Sequence, residues 1–298
     1  MIEVNGISKI YPKEIMALNN ISFNIEQGSI AGIIGRNGAG KSTLFKILCG
    51  LLTDYEGDSK IFGQKSSISL SHRISYLPEV RGLDSRMYVL DQLIELVMYK
   101  GFSRKQAKEA VERWLRIFSL YERRFGKISS LSKGNQQKIQ MIAAVAANPE
   151  ILILDEPFSG LDLITIDYFW DIMLKLREQG CTILFSTHDL NDNLHYCNQL
   201  LFLHEGILRQ NGPLAELQNR FDLVLELQNA LVRQERLEQL AGRRNVKFKN
   251  GTYEIRLTDK SVAHAIFDDL EEKYCEKFYV RKMSIPEIFR EISGGQNE

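Results

Sequence analysis

The run Gly35-Arg36-Asn37-Gly38-Ala39-Gly40-Lys41-Ser42 has the spacing G-x-x-x-x-G-K-S of a loop that holds phosphate. Glycines let backbone N–H groups curl around phosphate oxygens without a Cβ in the way. A helix starting at Lys41, Ser42 and Thr43 adds the positive end of its dipole. Lys41 is placed to reach the β- and γ-phosphates of a nucleotide, and the Ser42 hydroxyl to hold Mg²⁺. A second group lies far along the chain, where Ile151-Leu152-Ile153-Leu154 runs into Asp155-Glu156. Asp155 suits a Mg²⁺ contact, directly or through water. Glu156 suits the orientation or deprotonation of an attacking water. A third is His188 in Thr187-His188-Asp189, a candidate contact to the γ-phosphate as it leaves. A lone histidine at a strand end is weak evidence; its weight comes from the other two groups.

These groups need strand ends to carry them. Ser29 to Ile34 is a short apolar run suited to a buried strand, and Leu44, Ile47 and Leu48 give the following helix its apolar spacing up to Gly50. Ile151 to Leu154 and Cys181 to Ser186 read as further buried strands, with a helix between them ending near Gly180. Strand–helix alternation of this kind predicts an α/β fold, a mostly parallel sheet with helices on both faces. Met1 to Lys9, Ile21 to Ile25, a short segment around Ile61-Phe62 and Ile74 to Leu77 add strands. Residues 81–147 turn helical, with a capping-box pattern at Ser103 and Gln106. Gly212-Pro213 marks a boundary, so the chain divides into 1–215 and 216–298. The second part reads β-α-β-β-α-β, the ferredoxin-like order, with Asn250-Gly251 as a hairpin turn and a helix from Ser261 to Lys273. Lys247 and Lys249 alternate with Val246 and Phe248, which places the lysines on a solvated face and the other two in a core.

The composition narrows the classes. The 298 residues carry 38 Lys and Arg against 38 Asp and Glu. A balanced charge gives no general attraction to nucleic acid or anionic membrane, and no nucleic-acid partner is expected. Cys49, Cys181, Cys197 and Cys275 have no metal-ligand or disulfide spacing, which fits a reducing cytosol. The chain opens on an alternating strand rather than a basic-then-apolar leader. No stretch approaches the ~20 apolar residues of a bilayer span. Action at a membrane would go through a partner.

Taken together, these motifs resemble the ATP-binding subunit of an ABC transporter over residues 1 to about 215. Leu131-Ser132-Lys133-Gly134-Asn135 is similar to that family's signature L-S-G-G-Q, with Lys133 and Asn135 as departures. Leu152 to Glu156 is similar to its second nucleotide motif, with Glu156 as catalytic glutamate. Ser159-Gly160-Leu161-Asp162 is similar to its D-loop and His188 to its switch histidine. Tyr11 lies where the family stacks a ring on adenine, and Glu79 where it has a glutamine near the metal. The resemblance implies a P-loop NTPase core of the ABC ATPase type with a helical subdomain, and ATP and Mg²⁺ as cofactors. It implies a head-to-tail pair with a second copy or a related nucleotide-binding subunit. It also implies an integral-membrane permease that brings the chain to the cytoplasmic face of the membrane. The tail Ser284-Ile285-Pro286-Glu287-Ile288-Phe289 resembles the extensions of export subunits, which makes export the expected direction. The competing reading is a soluble ABC ATPase acting on ribosomes or nucleic acid. One phosphate loop and no sustained heptads count against it.

Overall fold

The computed structural model describes residues 2–80, 82–190, 193–230, 232–257, 259–270 and 275–293. Two compact units divide at Pro213 and Leu214. Proline has no N–H to continue a ladder, so it ends the last strand of the first unit. The boundary lies slightly ahead of the one read from sequence.

In the first unit, β1 (Ile2–Tyr11), β2 (Ile15–Ile25), β4 (Glu56–Ile61) and β5 (Gln64–Lys65) form an antiparallel sheet in the order β2-β1-β4-β5. The strand expected over Ile21 to Ile25 begins earlier, at Ile15, which pairs with Tyr11. Polar Asn19 and Asn20 hide this extension in the sequence. Register shifts along β1–β2 accommodate them, with Asn20 left-handed at φ 51°. Phe62, expected in a strand, sits instead in the turn between β4 and β5, at φ 54° beside Gly63 at φ 75°.

The second sheet has six strands in the order β10-β9-β3-β8-β7-β6: β3 (Ile30–Ile34), β6 (Ile74–Leu77), β7 (Ile151–Leu154), β8 (Thr182–Thr187), β9 (Gln199–His204) and β10 (Ile207–Gly212). All neighbours are parallel except the edge pair β9–β10. β3, β7 and β8 are buried along their whole length, which is why they read as unbroken apolar runs. α1 (Lys41–Leu48) follows β3. α2 (Val89–Met98), α3 (Arg104–Ile117) and α4 (Lys133–Val145) lie between β6 and β7, and α5 (Leu163–Glu178) between β7 and β8. The Ser103–Gln106 capping box is present at the start of α3. All four cysteines are free, and burial pushes the Cys49 and Cys181 thiols up to about 12. Those two thiols stay protonated at neutral pH, the form that is a poor nucleophile.

The second unit opens with α6 (Leu214–Asn219). It continues as β11 (Leu223–Gln228), α7 (Gln234–Ala241), β12 (Val246–Lys249), β13 (Thr252–Leu257), α8 (Lys260–Asp269) and β14 (Lys277–Lys282), and closes with α9 (Ile285–Ile292). Its sheet is antiparallel in the order β12-β13-β11-β14. Leu225 and Leu227 of β11 and Ile255 and Leu257 of β13 pack with Leu237 of α7 and Ile266 of α8. The expected last turn of α8, over Glu271 to Lys273, lies outside the described residues. Phe248 is not in this core: it is 54% exposed and leans on Tyr253 at 4.5 Å between ring centroids. β12 is short and at the sheet edge, so its buried apolar contribution is Val246.

Arg281 ties β14 to α9, donating to both Glu287 oxygens at 2.6 and 2.9 Å. Burial pushes the Glu287 carboxyl up, but bonds from Arg281 and Ser284 outweigh it and hold the group at about 2, against an ordinary 4.5. A depressed carboxyl stabilises the fold fully above its unfolded value and loses that contribution as pH falls toward its folded value. Stability should therefore drop between about pH 4.5 and 2. Glu287→Gln should remove that part of the slope, which thermal melts of both proteins across this range would show.

Candidate nucleotide site

The phosphate loop begins where β3 ends. Gly35 N–H donates to the Thr187 carbonyl at 3.2 Å, which ties the loop to the end of β8. A Cβ on Gly35 would come within 2.5 Å of the Leu203 carbonyl oxygen. Gly40 has φ 106° and lies hard against the Ala17 carbonyl, so no other residue fits there either. Arg36, Asn37 and Gly38 are exposed at the loop tip, while Ala39 is buried beneath it. Ser42 and Thr43 are half-buried in the first turn of α1. The Tyr11 hydroxyl lies 3.4 Å from Thr43 Oγ1, which places the proposed adenine-stacking ring beside the loop helix.

Three charged or titratable side chains meet at this loop. Lys41 is 6% exposed; its Nζ donates to the Gly35 carbonyl at 2.6 Å and the Arg36 carbonyl at 3.3 Å. The same Nζ lies 3.0 Å from Glu156 Oε1, paired in charge and distance though not in hydrogen-bond alignment. His188 Nδ1 is 2.8 Å from Glu156 Oε2, and a ring nitrogen can only donate to an ionised carboxylate. Glu156 is left-handed at φ 51°, a conformation that costs about 1–3 kcal/mol in a residue of this type. Its N–H donates to Ser186 Oγ at 2.9 Å.

Asp155 is 1% exposed at the end of β7. Its N–H donates to the Leu77 carbonyl at 2.8 Å. Ser186 Oγ donates to Asp155 Oδ1 at 2.6 Å, and the Tyr76 hydroxyl to Oδ2 at 3.3 Å. Burial first, then the Asp155 charge, pushes the Tyr76 phenol up, so it remains a donor. Glu79 also contributes charge to that shift, but its side chain is exposed after β6. Among the described residues Glu79 shows no bond to Ser42 or Asp155.

The signature residues stand apart from this centre. Ser132 caps α4, accepting from Asn135 N–H at 3.3 Å. Leu131 is buried, Ser132 and Lys133 are exposed, and a Cβ on Gly134 would meet nothing within 4 Å. In the D-loop, Ser159 N–H donates to the Glu156 carbonyl at 3.2 Å. Ser159 and Gly160 are exposed and Leu161 half-buried. Asp162 caps α5 by accepting from Thr165 N–H at 2.8 Å, and that bond holds its carboxyl below the usual range. Gln137 of α4 donates to the Pro157 carbonyl at 3.2 Å, linking the signature helix to the segment after Glu156. Ser186, Tyr76 and Gln137 were not singled out from the sequence.

A family model described as ABC transporter matches residues 18–159. An ABC transporter ATP-binding protein of Alkalihalophilus pseudofirmus is 37% identical over 266 residues, which is 88% of this chain and 98% of the relative. The chain belongs to the ABC transporter ATP-binding proteins. YhaQ of Bacillus subtilis, also described as an ABC transporter ATP-binding protein, is 32% identical over the full length of both chains. Among solved structures, a dimeric post-hydrolysis state of the ATP-binding cassette MJ0796 bound to ADP and Pi superposes with a TM-score of 0.66 at 26% identity. That match covers 72% of this chain and 99% of the other. The fold is thus the P-loop NTPase of the ABC type, and this ABC protein is an ATP-binding ATPase. No helix among the described residues is long and apolar enough to cross a membrane.

Proposed function

We propose that this chain powers a separate membrane permease by closing as a head-to-tail pair on MgATP. The observation that carries the pairing is the exposed signature. Ser132 and Lys133 sit at the open N-terminus of α4, with empty space beside Gly134, while Lys41, Asp155, Glu156 and His188 gather elsewhere. A helix start of this kind suits an anion, and the γ-phosphate of a nucleotide held by the partner supplies one.

The residues fit a magnesium ion. Ser42 offers a half-buried hydroxyl and Asp155 a buried carboxylate, both hard oxygen donors of the type Mg²⁺ takes alongside substrate phosphates. When bound, the ion would neutralise developing charge on the phosphates. Lys41 then binds the β- and γ-phosphates, Glu156 accepts a proton from the attacking water, and His188 orients Glu156 through its Nδ1 contact. Tyr11 stacks on the adenine. Ser159 to Asp162 form the D-loop at the pair's interface.

The segment Glu79 to Arg86, of which Arg81 lies outside the described residues, docks the permease with the helices after it. The Ser-Lys-Gly-Asn form of the signature and the Ser284 to Phe289 tail support export as the direction. Such a permease holds the chain at the cytoplasmic face of the membrane. Purification from detergent-solubilised native membranes tests this reading: a polytopic permease at equal stoichiometry is expected. A ribosome or a purely soluble partner would overturn the transport role and leave the ATPase in place.

A further inference from the structure

We propose that Tyr76 is a positioning residue for the divalent cation, holding the Asp155 carboxylate through its hydroxyl. The proposal rests on the reading of Asp155 as a Mg²⁺ contact.

The backbone of Asp155 is already fixed. β6 and β7 are parallel neighbours in register, with Tyr76 opposite Ile153 and Leu77 opposite Leu154, and Asp155 N–H bonds the Leu77 carbonyl. What remains free is rotation of the carboxylate about its side-chain bonds. Two hydroxyls restrain it, one on each oxygen: Ser186 on Oδ1 at 2.6 Å and Tyr76 on Oδ2 at 3.3 Å. Partners of this kind orient a metal-binding carboxylate, and their loss typically costs 10–100-fold in metal affinity.

The two restraints differ in their surroundings. Ser186 is fully buried in β8. Tyr76 is half-buried on the edge strand β6, with its ring packed against the core cluster that includes Ile74 and Ile153. Its hydroxyl bond is long for an O–H···O contact, so a shift of a few tenths of an ångström strengthens or breaks it.

Mn²⁺ binding to the ATP-loaded protein, read by electron paramagnetic resonance, tests this role. Tyr76→Phe keeps the ring, so it should weaken Mn²⁺ by about tenfold while ATP affinity in EDTA stays unchanged. Ser42→Ala is the control and should weaken Mn²⁺ by at least as much. If Ser42→Ala weakens Mn²⁺ and Tyr76→Phe does not, the positioning role is wrong and the metal site stands. If neither variant weakens it, the metal reading itself falls and takes this proposal with it.

Discussion

Glu156→Gln is expected to lower ATP hydrolysis by about 10²–10⁴-fold while leaving ATP binding and ATP-dependent pairing intact. The substitution keeps side-chain volume and removes only the ability to accept a proton. The Glu156 N–H bond to Ser186 is a backbone contact and survives, as does the Ser186 bond to Asp155. Lys41 keeps the Gly35 and Arg36 carbonyls. The magnitude follows from the resting geometry. Both Glu156 oxygens are engaged, Oε1 beside Lys41 and Oε2 with His188. Phosphates that draw Lys41 toward themselves leave Oε1 free to take a water proton. Phosphate release at saturating ATP, with light scattering on the same samples, reads both effects. Turnover within a few-fold of the unaltered chain would remove Glu156 as the base.

Lys41→Met is expected to weaken ATP binding by about 10²-fold, from charge-assisted bonds worth about 1.5–3 kcal/mol each. It should also destabilise the nucleotide-free chain, because Lys41 and Glu156 are both almost fully buried. Removing one partner of a buried pair costs about 3–5 kcal/mol, since the other charge is stranded. His188 remains on Oε2, so the lower end of that range applies. The two effects separate in the double variant Lys41→Met with Glu156→Gln. With no buried carboxylate to strand, stability should recover while ATP affinity does not. Calorimetric ATP titrations and urea denaturation measure the two, and strictly additive stability losses would show that the pair is not coupled.

The parts of this site legible in the sequence are those whose chemistry is local. Gly35 to Ser42 carries its own pattern, and Asp155-Glu156 and His188 announce themselves as polar ends of apolar runs. The restraints on these groups carry no such signal. Ser186 and Tyr76 are common residue types, far from Asp155 along the chain, and only the parallel order β8-β7-β6 brings all three together. Gln137 is one of several polar positions on a helix, and its bond to Pro157 exists only because of tertiary packing. In the second unit, the order of elements was legible from alternation and the Asn250-Gly251 turn. The fate of Phe248 was not, because alternation identifies a strand face without saying whether anything covers it.

The edges of that second sheet have a consequence for how the protein behaves when crowded. β12 carries exposed Lys247 and Lys249, and β14 exposed Lys277 and Lys282, on the two outer strands of an otherwise ordinary sheet. An unpaired strand edge is a template for another chain, and lysines are a common guard against it. Two β14 edges aligned antiparallel about their midpoint would set Lys277 against Lys282 twice over. Like charges directly opposite each other repel, so self-templated growth into fibres is disfavoured at its first step. Acylation of these amines would strip the guard away and leave the fold prone to aggregation with its nucleotide chemistry untouched.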